Sequence, residues 1–251
     1  MKTLKSYDKY FESKSEWIDL SSNDLTELPD LPNDLEELFC SDNNLIKLSN
    51  LPKTLKKLFC SRNKIIELPE LPESLEILYC SKNELSELPD LPNNLKNLFC
   101  SRNDIAKLPE LPESLIELSC YQNNIKKLSN LKNLNFLACH GNFLTELPEL
   151  PKTLKILECN DNDLTEIPDL PEGLQYLRCD NNYLNELPEL PDTLESLYCQ
   201  NNNLNELPEL PESLYFLNCS GNNLPYKDLD EYKEWYRKKY PWKYSAKDFN
   251  I

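Results

Sequence analysis

The cysteines of this 251-residue chain keep a metre that few folds can accommodate. They stand at Cys40, Cys60, Cys80, Cys100, Cys120, Cys139, Cys159, Cys179, Cys199 and Cys219, so that eight of the nine intervals are 20 residues and one is 19. Three residues after each stands an asparagine, from Asn43 and Asn63 through to Asn222, and two residues later comes Leu or Ile without exception. Leucine dominates the positions two and five before each Cys, as in Leu38 and Leu35. The unit reads LPxxLxxLxCxxNxLxxLPx, and 17 of the 19 prolines belong to it. An earlier copy, Ile18-Asp19-Leu20-Ser21-Ser22-Asn23-Asp24-Leu25, puts Leu20 in the Cys place and brings the number of repeats to eleven. A fixed period of this length points to a stacked array, because one unit cannot bury its leucines alone and neighbouring copies can share a core.

Each unit has a local reading. In Leu38-Phe39-Cys40 the pattern alternates with period two, which predicts a short strand with Leu38 and Cys40 facing inward. The asparagine falls where the chain leaves the strand. There its amide can satisfy turn backbone groups, and stacked copies can form a ladder. Proline fixes φ and lacks an N–H, so the Leu-Pro-x-Leu-Pro stretch predicts an extended, polyproline-like return rather than a helix. Stacked at about 4.8 Å per step, the parallel strands would span roughly 48 Å of arc.

The pattern resembles the leucine-rich repeat family, LxxLxLxxNxL, with Cys in place of its third leucine. The paired Leu-Pro steps are most similar to the short subtype of bacterial effectors of the YopM and IpaH kind, and Cys-bearing arrays of giant-virus proteins are similar too. The resemblance implies a curved right-handed solenoid with a parallel sheet on its concave side, used for binding other proteins. It implies no ligase activity. The IpaH-type catalytic cysteine lies in a separate domain, and every cysteine here belongs to the repeat.

The expected organisation is an N-terminal cap over 1–16, eleven repeats over 17–224 and a C-terminal helical cap over 225–251. Leu4, Tyr7 and Phe11 are spaced for one face of a short N-terminal helix. Leu229, Tyr232 and Tyr236 make a stripe within a predicted helix over 227–240. Asp228, Asp230 and Glu231 stand at its start and Arg237, Lys238 and Lys239 at its end, as the helix dipole favours, with Pro241 as a stop.

Composition narrows the function. A net charge of -16 argues against wrapping nucleic acid or lying on an anionic membrane. One histidine (His140) cannot make a multi-His metal site, and three glycines cannot build Gly-rich phosphate loops. No run of about 18 apolar residues is present, and Met1–Glu16 has no apolar core of a secretory signal, so the expected setting is intracellular. Ten cysteines in one inward column, with parallel Cβ vectors, predict buried free thiols rather than disulfides or metal ligands. His140 is expected on the concave side, exposed. The repeated acids Glu67, Glu87, Glu146 and Glu166 read as a solvated face. No cofactor and no catalytic residues are expected.

What remains is the outward face of the strands. Before each Cys the column runs Phe39, Phe59, Tyr79, Phe99, Ser119, Ala138, Glu158, Arg178, Tyr198, Asn218. Two residues earlier it runs Glu37, Lys57, Ile77, Asn97, Glu117, Phe136, Ile156, Tyr176, Ser196, Phe216. Beside the first aromatics lie Arg62, Lys82 and Arg102. An aromatic patch rimmed by cations predicts a site for a protein partner, made by Phe39, Phe59, Arg62, Tyr79, Lys82, Phe99, Arg102, Phe136 and Tyr176. Stacked aromatics also stabilise adjacent strands, which is the competing reading. The apolar stripe changes column in mid-array, where one residue is missing and Ser129 and Lys132 replace both prolines, predicting a local change of curvature or twist. The function expected is a monomeric, non-enzymatic interaction module, as a bacterial or viral host-interacting factor. The alternative is a substrate-recognition adaptor in a ubiquitin-ligase assembly.

Overall fold

A computed structural model describes residues 16–48 and 51–240. The calls on Leu4, Tyr7, Phe11 and Pro241 lie outside the described residues.

Eleven three-residue strands follow one another: β1 (Trp17–Asp19), β2 (Glu37–Phe39), β3 (Lys57–Phe59), β4 (Ile77–Tyr79), β5 (Asn97–Phe99), β6 (Glu117–Ser119), β7 (Phe136–Ala138), β8 (Ile156–Glu158), β9 (Tyr176–Arg178), β10 (Ser196–Tyr198) and β11 (Phe216–Asn218). They form one parallel sheet in chain order, each paired with its sequence neighbours and with identical repeat positions in register. The leucines flanking and centring each strand and the following Cys are fully buried, as Leu35, Leu38, Cys40 and Leu45 are. Burying one such leucine contributes about 1.5–3 kcal/mol, and neighbouring turns supply the partner surface. Leu20 is 0% exposed and its N–H reaches the Phe39 carbonyl at 2.7 Å, just as Cys40 N–H reaches Phe59 at 2.8 Å. The first unit thus stacks as the others do.

The strands sit one residue earlier than the alternation predicts, at 37–39 rather than 38–40. The cause is the asparagine. Asn63 Nδ2 donates to the carbonyls of both Cys40 and Cys60, each at 3.0 Å, and Asn43 Nδ2 also donates to Cys40 at 3.0 Å. The Cys carbonyl is thus occupied by side-chain amides and does not continue the strand ladder. Asn63 Oδ1 accepts from Leu45 N–H at 3.0 Å, so one side chain ties two turns together. The same set recurs through Asn202 and Asn222.

The chain leaves each strand through a left-handed residue two positions after the Cys. That column, from Ser22 and Asp42 to Asn201 and Gly221, has φ between 51° and 69° in every repeat. The return path carries no helix between β1 and β11 among the described residues. It ends in a turn in which the N–H five residues before the Cys bonds back three residues, as Leu55 does to Pro52 at 3.1 Å. A second polar column, missed in the sequence, stands just before that leucine. Thr54 Oγ1 donates to the Leu35 carbonyl at 2.7 Å, and Ser74, Ser114, Thr153, Thr193 and Ser213 do the same one or more turns along.

The short repeat is absorbed on the convex side. Glu117 pairs with Phe136 in unbroken register, and Asn142 Oδ1 still accepts from Ile125 N–H at 3.0 Å. The turn instead begins at Leu131, and Lys132 takes φ 39°, which a proline could not adopt.

The helix α1 (Leu229–Lys239) follows the last strand. Asp228 caps it by accepting from Glu231 N–H at 2.9 Å, and Glu231 Oε2 accepts from Lys227 N–H at 3.1 Å. Tyr226 and Tyr232 are buried at the end of the leucine core, with Leu229, Trp235 and Tyr236 packed against it. Among the described residues no helix is long and apolar enough to cross a membrane.

Candidate protein-binding face

Three side chains per repeat stand on the sheet's outer face, because positions one before, one after and three before the Cys alternate with the buried ones. The first aromatic column forms a continuous strip. Phe39 and Phe59 stack at 4.7 Å and 3°, Phe59 meets Tyr79 edge-on at 4.9 Å, and Tyr79 meets Phe99 at 4.3 Å. All four rings are half-buried, so the strip is both a packing element and an open surface.

The neighbouring cations occupy the left-handed column: Arg62 has φ 56°, and Lys82 and Arg102 have φ 57°. Other repeats put Asp42, Asp161, Asn181, Asn201, Gly141 or Gly221 there, residue types that tolerate this backbone, while Ser22 and Gln122 take the remaining two sites. A long cationic side chain costs on the order of 1 kcal/mol more at such a site. Three in succession are therefore not what the turn itself selects. Arg62 reaches Asp42 at 3.4 Å, and Arg102 lies over the Tyr121 ring at 5.8 Å.

The remaining two predicted residues sit farther along. Tyr176 joins a second aromatic group by a diagonal step between columns: Tyr176 to Tyr198 at 5.5 Å, then Tyr198 to Phe216 at 4.5 Å. Tyr198 and Phe216 were not among the predicted site residues, and reading the two columns diagonally would have found them. Phe136, half-buried on β7, lies between the two groups and has no ring partner among the described residues.

A third outward column stands one residue after the Cys; of it, only His140 was expected on this face. It holds Ser41, Ser61, Ser81 and Ser101 in the first half, then Tyr121, His140, Asn160, Asp180 and Gln200. His140 is here, and it is not exposed as expected. Its side chain is 22% exposed, its ring stacks on Tyr121 at 4.4 Å and 8°, and Nδ1 lies 3.6 Å from Glu158 Oε2. Burial holds its pKa below the usual histidine value, while burial raises that of Glu158. Arg178 Nε donates to Asp180 Oδ1 at 2.9 Å; Asn181 Nδ2 bridges Asp180 and Asp161, both at 2.9 Å.

Behind the sheet the ten thiols are buried and free. Burial pushes Cys40 and Cys120 up to about 12 and the others upward as well, so none is a thiolate nucleophile at neutral pH. No group of three or more His, Cys, Asp or Glu among the described residues is arranged to hold a metal.

Against solved structures, YopM from Yersinia enterocolitica is 43% identical over 78% of this chain and 44% of its own, with a TM-score of 0.77. YopM from Yersinia pestis, a leucine-rich effector protein, is 40% identical over 82% of this chain and 61% of its own, with a TM-score of 0.78. The chain is a leucine-rich repeat protein of the short, 20-residue type. It spans less than two thirds of the length of either YopM chain. The functional domain of InlJ from Listeria monocytogenes, which includes a cysteine ladder, is 28% identical over 75% of this chain and 47% of its own, with a TM-score of 0.60. No family model and no curated protein matches the sequence.

Proposed function

We propose that this leucine-rich repeat protein is a non-enzymatic binding scaffold, and that the concave face over β2–β5 holds a protein partner. One observation carries the reading: four half-buried aromatic rings run without a gap, and the same stretch of repeats carries three cations placed where the backbone disfavours them. Stacking alone explains the rings, since each aromatic pair stabilises the sheet by about 0.5–1.5 kcal/mol. It does not explain Arg62, Lys82 and Arg102. A rigid array presents such a surface ready-made, so association costs little ordering. The likeness to an effector protein supports a host-interacting role, with Phe136 and Tyr176 extending the contact along the array.

The test is capture from a lysate by the wild-type chain and by a Phe39→Ser, Phe59→Ser, Phe99→Ser variant, both verified as folded by circular dichroism. Loss of a defined partner by the variant alone is the expected result. Capture of the same set by both would reduce the strip to strand packing.

A further inference from the structure

The concave face is electrically polarised along the solenoid. In a chain of net charge -16, the outward positions of β3–β5 and the left-handed residue after each carry Lys57, Arg62, Lys82 and Arg102 and not one carboxylate. Lys57 is tied back to Glu37 at 2.8 Å and Arg62 to Asp42 at 3.4 Å. Lys82 and Arg102 have no carboxylate partner among the described residues. Over β8–β10 the balance reverses. Glu158, Asp161 and Asp180 face one cation, Arg178, which Asp180 already engages at 2.9 Å. Two amide oxygens in that half, Asn160 Oδ1 and Gln200 Oε1, have no donor, and Asn160 is only 2% exposed. A half-buried carboxylate is stabilised by an incoming ammonium or guanidinium, which brings a positive charge and several donors that amide oxygens on the same face can also accept. Burial raises the pKa of Glu158, and Arg178 offsets this only in part.

We infer that the face accepts a polypeptide segment in one direction only, with Asp or Glu and apolar anchors over β3–β5 and Lys or Arg over β8–β10. The inference rests on the binding role proposed above and adds the partner's charge order. Rim charges of this kind act chiefly on register and on which partners are rejected. The cations at β4–β5 and the acids at β8–β9 are four strand steps apart, roughly 19 Å at about 4.8 Å per step. An extended segment covers that distance in about six residues, at about 3.3 Å each.

The experiment selects random peptides of about 16 residues, which is roughly the extended length of the face, displayed on phage against the immobilised full chain. A parallel selection uses a variant with the polarity removed: Lys82→Asn, Arg102→Asn, Asp161→Lys and Asn181→Lys. Every new residue is one that another repeat already carries at the same left-handed site, so the array should fold, and circular dichroism checks it. The expected wild-type peptides carry acids with aromatic or aliphatic residues and, about six positions away, Lys or Arg, always in the same order. This variant, its charge contrast removed, should bind these peptides about tenfold more weakly and enrich peptides with no fixed charge order. Peptides without charge order that the Phe39→Ser, Phe59→Ser, Phe99→Ser variant fails to bind would overturn the inference and leave the binding face standing. Peptides indifferent to that triple variant, or no enrichment at all, would overturn both.

Discussion

Removing one asparagine from the ladder and removing two neighbours should have different consequences per residue. Asn103 Oδ1 is the acceptor for Leu85 N–H at 3.1 Å, and its Nδ2 donates to the Cys80 and Cys100 carbonyls at 3.1 and 2.9 Å. Each carbonyl has a second donor: Asn83 Nδ2 lies 2.9 Å from Cys80, and Asn123 Nδ2 lies 3.1 Å from Cys100. Asn103→Ala therefore orphans a buried N–H, at about 1–3 kcal/mol, and loses two bonds worth about 0.5–1.5 kcal/mol each, while no carbonyl is stranded. The single change should cost about 2–6 kcal/mol. Asn83→Ala should cost about the same, because its Oδ1 accepts from Ile65 N–H and its Nδ2 serves Cys60 and Cys80. In the double variant Cys80 loses both donors. The cost should then exceed the sum of the singles by about 1–3 kcal/mol, the penalty of one stranded buried carbonyl. Asn83→Ala with Asn182→Ala, which share no carbonyl, should be additive. Urea unfolding followed by circular dichroism gives the free energies, and amide exchange at Leu85 and Ile65 localises the damage. Additivity of the adjacent pair within about 0.5 kcal/mol would refute the shared-acceptor reasoning.

The thiol column makes stability fall with alkaline pH. Burial raises the folded pKa of Cys40, Cys120 and Cys219 to about 12, against about 8.5 unfolded, so the thiol contribution is intact below about pH 8.5 and is lost as pH rises. At pH 9.5 each unfolded thiol should favour unfolding by roughly 1.4 kcal/mol, and a Cys80→Val, Cys100→Val, Cys120→Val variant should show a shallower decline of thermal midpoint than wild type; equal slopes would contradict this. Gly173 stands in the hydroxyl column and nothing lies within 4 Å of a Cβ placed there. Gly173→Ser should donate to the Leu154 carbonyl, as Thr153 does to Leu134 at 2.9 Å, and raise stability by about 1–2 kcal/mol in urea; an unchanged or lower midpoint would reject that bond. Phe59→Ser alone should lower stability by about 1–3 kcal/mol, since Phe59 contacts both Phe39 and Tyr79; an unchanged unfolding midpoint would show that the strip is not packed.

What could be read before folding was whatever the repeat copies without variation. The leucine columns, the Cys column and the Asn ladder each answer one physical demand, either apolar burial or satisfaction of turn backbone groups, and that demand recurs identically every turn. The cap at Asp228 was readable for a similar reason, because charge order along one helix is local. The strand boundary was displaced by one residue because alternation records which side chains are buried. It does not record that two asparagine amides hold the Cys40 carbonyl.

The alternation counted two outward columns and passed over a third, one residue after the Cys, where Tyr121 covers His140 and where Asn160 and Asp180 change the chemistry of the second half. The diagonal contact of Tyr198 with Tyr176 and Phe216 was hidden for a different reason: it joins residues 22 and 18 positions apart, a relation that a 20-residue period does not display. The repeat therefore specifies the scaffold almost completely and its face only by exception. The exceptions that matter most are those the backbone opposes. Arg62, Lys82 and Arg102 sit at φ near 57°, where Asn, Asp or Gly would relieve the turn; within the array Arg62 recovers an ion pair with Asp42 and Arg102 a contact with the Tyr121 ring, and the proposed partner would add a benefit outside it. Replacing all three by Asn should then raise the stability of the isolated protein and weaken partner binding, opposite signs that a purely structural row of cations would not produce.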